Sequence, residues 1–170
     1  MNKNLIPKYT CKNIFSIDFD FIKSLGFKYL FIDLDNTLAS PFDTVPNENV
    51  KKLFYNLKLM DFDIVIISNN KEKRVKTFVD SLSVKYIFRC KKPGIRKIKA
   101  YMQSNRIDCS DCLVIGDQIM TDVNMANHLN IASVLLEPLV KKEELITFFP
   151  RLLDKHFRKK VMKNKLAKEI

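Results

Sequence analysis

Five short apolar runs recur along this chain of 170 residues, and helical periodicity fills the gaps between them. The runs are Tyr29-Leu30-Phe31-Ile32, Ile64-Val65-Ile66-Ile67, Tyr86-Ile87-Phe88, Leu113-Val114-Ile115 and Ala132-Ser133-Val134-Leu135-Leu136. They lack the strict polar alternation of a half-exposed strand, so each reads as a strand buried on both faces. Between them, Val50, Leu53, Phe54 and Leu57 fall on one helical stripe, and Val75, Phe78, Val79 and Leu82 repeat the pattern. Ile95, Ile98 and Met102, then Met125, Ala126 and Leu129, mark two further helices. This alternation predicts a three-layer α/β fold: a doubly wound parallel sheet of about five strands, with right-handed crossovers.

Sheets of this kind bind ligands beyond the carboxyl ends of their strands, where the strand order reverses. Polar residues able to do chemistry should collect there, and they do. Asp33 and Asp35 follow the first run, Ser68, Asn69 and Asn70 the second, Lys91 and Lys92 the third, and Asp117 the fourth. In extended backbone, residues two apart face the same side, so Asp33 and Asp35 are expected to point into one place. Their repulsion would be relieved by a hard divalent cation such as magnesium, with Asp117 a third carboxylate and Asp122 a fourth. A hydroxyl at Ser68 and a cation at Lys92 describe a seat for a phosphoryl group; Ser68 also reads as a plain helix N-cap. Lys92 is preferred over Lys91 because Pro93 fixes the backbone directly after it. The parts fit one mechanism: an aspartate attacks phosphorus, and a second aspartate protonates the leaving oxygen and then activates water.

The rest of the sequence narrows the choice mainly by exclusion. The only glycines are Gly26, Gly94 and Gly116, so neither a dinucleotide fingerprint nor a Walker A loop can be written. Cys109-Ser110-Asp111-Cys112 is a lone pair without a second one or histidines at ligand spacing; Cys112 reads as the apolar start of a strand and Cys109 as a loop thiol. Residues 1–8 lack the apolar core of a secretory signal, and no apolar stretch approaches membrane-spanning length. A cytoplasmic protein is expected.

Asp33-Leu34-Asp35-Asn36-Thr37, the apolar run into Ser68, Lys92-Pro93, and Gly116-Asp117 through Thr121-Asp122 resemble, in order, the four motifs of the haloacid dehalogenase (HAD) superfamily. The flanks Ser68-Asn69-Asn70 with Glu72-Lys73-Arg74-Val75, and Gly116-Asp117-Gln118 with Thr121-Asp122-Val123, look like the YqeG family, small subfamily IIIA phosphatases. The resemblance implies Asp33 as nucleophile and Asp35 as general acid and base, positioned by Thr37. It implies phosphate binding by Ser68, Asn69 and Lys92. It implies Mg2+ on Asp33, Asp117 and the Asp35 backbone carbonyl, with Asp122 in support. It also implies the HAD strand order 5-4-1-2-3. That family is similar to phosphatidylglycerophosphate phosphatases, which suggests removal of the terminal phosphate from that lipid.

Only 32 residues separate Asp35 from Ser68, and 23 separate Ser68 from Lys92. Neither gap can house a cap domain, so the site is expected to be open and completed by a large substrate or a partner. Residues 1–150 are expected to form the phosphohydrolase domain and 151–170 a basic amphipathic helix or tail. That tail holds eight basic and two acidic residues, +6 of the formal +11. Phe149, Leu152, Leu153, Phe157 and Val161 share one helical face. Three readings stand: a terminal helix packed on the sheet, peripheral contact with the inner membrane surface, and contact with nucleic acid. Two alternatives to an enzyme are weighed. One is a HAD-fold module binding RNA, ribosomes or a partner with little activity. The other is a receiver domain, which would need its phosphorylated aspartate after the third strand, where Arg89 and Cys90 stand.

Overall fold

The apolar runs pair edge to edge as the pattern predicts. The structure, a computed structural model, describes residues 3–139, 148–164 and 166–170, with 148–153 described by backbone alone. In chain order the elements are β1 (Tyr9–Cys11), α1 (Phe19–Ser24), β2 (Tyr29–Asp33), α2 (Glu48–Leu59), β3 (Asp63–Ile67), α3 (Glu72–Val79) and β4 (Lys85–Ile87). There follow α4 (Arg96–Ser104), β5 (Cys112–Gly116), α5 (Asn124–His128), β6 (Ala132–Leu136), α6 (Phe148–Lys163) and β7 (Lys168–Glu169). A single turn of π-helix, Ile119–Val123, lies between β5 and α5.

The sheet order is β4-β3-β2-β5-β6-β1-β7, with every neighbouring pair parallel. The five expected strands form one contiguous block in the expected order, read from the far edge. The count of about five is corrected to seven, because β1 and β7 extend the sheet beyond β6. Neither carries an apolar run: Tyr-Thr-Cys is short, and Lys168–Glu169 is exposed and polar. They are held by backbone pairing, Tyr9 to Val134 on one side and to Lys168 on the other, and side-chain pattern does not report that.

Alternate residues of β2 feed opposite cores. Leu30 and Ile32 pack with Phe54 and Leu57 of α2, Phe78 of α3 and Ile22 of α1. Phe31 faces the other way, among Ile98 and Met102 of α4 and Met125 of α5. Both faces are therefore covered, as parallel sheets require. Asn47 caps α2 by accepting the Val50 N–H at 3.0 Å. The stripe from Val75 ends its helix at Val79, yet Leu82 stays buried in the following turn. Cys112 is buried at the start of β5, and Cys109 sits half-exposed in the preceding turn. No domain is inserted between a site-bearing strand and its helix; residues 34–47 are the loop from β2 to α2.

β2 pairs with both β3 and β5, so the chain leaves it in one direction and returns on its other side. That is the switch point, and it puts the ends of β2, β3 and β5 side by side.

The basic end of the chain packs on this sheet. Val161 is buried and Phe157 lies against the cluster of Ile119, Val123, Leu135 and Leu5. Lys155, Lys159, Lys160 and Lys163 remain exposed. Phe149, Leu152 and Leu153 of the expected stripe lie outside the described side chains. A charge at Val161 would be stranded in an apolar cluster, so Val161→Asp is expected to lower unfolding free energy by ~3 kcal/mol or more in urea titrations. An unchanged midpoint would mean that α6 does not dock.

Candidate active site

Asp33 closes β2 in register with Ile67 of β3, and Ser68 follows immediately. Asp117 follows β5 in the same way. Three chain segments thus deliver Asp33, Ser68 and Asp117 to one edge. Lys92 arrives by a longer route. The loop after β4 folds back along the end of β3, where the Arg89 N–H donates to Asn70 O at 2.9 Å and the Cys90 N–H to Ser68 O at 3.0 Å. The Asn69 side chain then clamps the Lys92 main chain, accepting its N–H at 2.7 Å and donating to its carbonyl at 3.2 Å.

The clamp turns the Lys92 side chain inward, while Lys91, at φ +56°, stays exposed. The buried Lys92 ammonium donates to Asp33 Oδ1, and to Asp122 Oδ1 at 2.7 Å. It also reaches the Ile67 carbonyl at 3.4 Å. Asp122 comes from the π-helical turn, and its second oxygen accepts the Gln118 N–H at 3.2 Å. Its approach requires glycine at 116: a Cβ there would stand 2.5 Å from Asp122 Cγ.

Asp117 Oδ1 is buried and has no hydrogen-bond partner among the described residues. Oxygens of Asp33, Asp117 and Asp122 lie within 4.8 Å of one another. Three carboxylates therefore face one ammonium. Burial pushes the Asp33 carboxyl up to about 7; the Lys92 charge opposes this and Asp122 adds to it. Asp117 is likewise raised well above the ordinary carboxylate range, by burial and then by Asp33 and Asp122. Burial pulls Lys92 down, but Asp122 and Asp33 outweigh it and hold the ammonium charged. The cluster holds more carboxylates than cations. An all-oxygen donor set around an unpartnered carboxylate oxygen fits a hard divalent cation.

Several expectations change. Asp35 does not join the carboxylate cluster. The two-residue alternation fails because β2 ends at Asp33, and the chain then turns through Asn36 at φ +67° with Asp35 bridged to Ala39. Its carboxylate instead accepts from Arg74 Nη2 at 3.0 Å and Asn70 Nδ2 at 2.8 Å, though it still lines the pocket with Asp33, Ser68 and Lys92. Thr37 does not hold it: the buried Thr37 hydroxyl has no partner among the described residues. Asn69 uses its side chain on Lys92, so that side chain acts as a clamp. Ser68 is no helix N-cap, because α3 starts at Glu72 with Lys71 at its N-cap position. Its Oγ accepts the Asn70 N–H at 3.0 Å, which leaves the hydroxyl hydrogen free to donate into the pocket.

Sequence reasoning gave no role to Asn70 and Arg74, which hold Asp35. Their spacing of four across the start of α3 is the one available signal. Gln118 and Thr121 also line the pocket.

A switch-point pocket of this composition, on this strand order and without a cap, is the arrangement of the HAD superfamily of phosphohydrolases. The profile of the family described as "Mitochondrial PGP phosphatase" matches residues 1–141. "Probable phosphatase YqeG" of Bacillus subtilis is 30% identical, covering 91% of this chain and 90% of its own. "Phosphatidylglycerophosphate phosphatase 1, chloroplastic/mitochondrial" of Arabidopsis thaliana is 24% identical over 82% of this chain and 43% of its own length. Among solved structures, a HAD-family enzyme of Bacteroides thetaiotaomicron in complex with magnesium and inorganic phosphate shares the fold. Its TM-score is 0.53 at 15% identity, covering 71% of this chain and 100% of that one. The chain belongs to the PGP phosphatase family and is a HAD-type phosphoric monoester hydrolase.

Gly116→Ala is expected to push the Asp122 carboxylate off Lys92 while the sheet stays folded. A displacement of about 1 Å in such a site costs ~10²-fold in kcat/KM, read with a generic aryl phosphate ester. Wild-type turnover by this variant would mean that Asp122 has no part in the arrangement.

Proposed function

We propose that this phosphatase works through an aspartyl-phosphate on Asp33, with magnesium as its cofactor, and that phosphatidylglycerophosphate is its substrate. The observation that carries the mechanism is that Asp33 and Asp122 share the Lys92 ammonium in one pocket, with an Asp117 oxygen within 4.8 Å of theirs.

Asp33 is placed to attack phosphorus, since it lines the pocket at the end of a rigid central strand. Lys92 and the Ser68 hydroxyl bind the phosphoryl oxygens, and Asn69 keeps Lys92 in place. Asp35, held over the pocket by Arg74 and Asn70, protonates the leaving oxygen and then takes a proton from the water that hydrolyses the aspartyl-phosphate. Asp33, Asp117 and the Asp35 carbonyl would hold the ion, with Asp122 in support. An ion held there would supply positive charge against the charge developing on the phosphoryl group.

Three features support the lipid substrate. The family description and the plant relative both name that chemistry. Among the described residues no cap covers the site, so a headgroup can enter while its acyl chains stay outside. Exposed lysines at positions 155, 159, 160 and 163 can meet an anionic surface, while Val161 of the same helix is buried in packing. Among the described residues no helix is long and apolar enough to cross a membrane.

Asp33→Asn is expected to lower aryl phosphate turnover by at least about 10⁴-fold while the protein stays folded. Substantial activity in the folded variant would remove Asp33 as nucleophile. Chelation of divalent cations should abolish turnover and added magnesium should restore it; activity that survives chelation would contradict the cation site. Vesicles containing phosphatidylglycerophosphate should release phosphate faster than sugar phosphates or nucleotides do. No release from the lipid, with the aryl ester still hydrolysed, would sink the substrate assignment and leave the phosphatase standing.

A further inference from the structure

Helix α6 touches the acidic loop at its backbone. Asp154 is buried, and its Oδ1 accepts the N–H groups of Ile119 at 2.5 Å and Met120 at 3.1 Å. One turn further, Arg158 Nη2 donates to the main-chain carbonyl of Asp117. The same guanidinium group stands 3.7 Å from the second Asp154 oxygen. Val161 packs beside Ile119 and Val123, and Phe157 lies against them. The Asp117–Asp122 loop therefore hangs from α6 by two N–H groups, one carbonyl and an apolar contact. The polar tethers fall on Asp117 itself and on Ile119 and Met120, ahead of Asp122. The residues that make them lie beyond residue 141, where the family match ends.

We infer that Asp154 and Arg158 are positioning residues for the cation site, fixing the loop so that the Asp117 and Asp122 carboxylates stand where the ion needs them. The inference rests on reading Asp33, Asp117 and Asp122 as a magnesium site. The physical reason is that a carboxylate on a short loop is placed only as well as the peptide planes beneath it. Arg158 stops the Asp117 peptide from rotating, and Asp154 ties the next two amides to a helix packed on the sheet. Outer-shell partners of this kind usually change metal affinity by about 10–100-fold when removed.

The test uses the full-length protein and magnesium alone, followed by calorimetry, with turnover of an aryl phosphate measured in parallel. In Asp154→Asn and in Arg158→Gln the magnesium Kd should rise by at least about 10-fold. The kcat at saturating magnesium should stay within about threefold, since neither side chain touches the pocket. Arg158→Lys, which keeps a donor, should recover most of the affinity. A purely structural role would lower the melting temperature while the folded fraction kept the wild-type Kd. Folded variants with a Kd within about twofold of wild type would therefore overturn the inference. If Asp154→Asn does not fold, the Arg158 pair decides, because that side chain is partly exposed. Wild-type protein that takes up no magnesium would overturn the cation site itself, and the inference with it. That outcome is distinguishable because it appears before any substitution.

Discussion

A buried ammonium shared between two carboxylates holds this site together. Lys92 is almost wholly enclosed, and so are its partners Asp33 and Asp122. An isolated charge in such a place is costly, and breaking one member of a buried pair leaves the others uncompensated. Much of the surrounding structure follows from that constraint. Asn69 fixes the Lys92 backbone, Gly116 clears room for Asp122, and the π-helical turn brings Asp122 back over the end of β5. Even so, one ammonium does not balance three carboxylates. Burial first, and then the neighbouring carboxylates, raise Asp33 and Asp117, while Lys92 pulls both the other way.

Much of this was legible in the sequence, for physical reasons that also mark where legibility stops. β2, β3 and β5 announce themselves because a strand buried on both faces must be apolar at every position, as Phe31, Val65 and Val114 illustrate. Strand ends at a switch point must face solvent and ligand together, so Asp33, Ser68 and Asp117 could be picked out in advance. β1 and β7 escape because strands of three and two residues, held by backbone pairing, leave no side-chain pattern. Asp35 lines the same pocket as Asp33, but the extended-strand argument expires at Asp33 and does not foresee its ion pair. Its true partners, Arg74 and Asn70, belong to a different crossover. The contacts of Asp154 and Arg158 join residues more than 30 apart in the chain, and local sequence carries no trace of them.

The terminal helix packs on the sheet, the first of the three readings its sequence allows. Its lysines suggested a membrane or nucleic-acid surface, and several are indeed exposed. Its buried residues, however, serve packing: Val161 and Phe157 join the cluster beneath the acidic loop, and Asp154 and Arg158 grip that loop directly. The helix is thus continuous with the site, and its charge is free to act on the outside of a part that is structural within.

The central claim is that phosphorus passes through Asp33. Borohydride reduces an acyl phosphate to an alcohol, so trapping during steady turnover followed by peptide mass spectrometry reads the nucleophile directly. The account predicts conversion of Asp33 alone to homoserine, dependent on substrate and magnesium. Modification at Asp35, or an unmodified Asp33 while phosphate is being released, would contradict it.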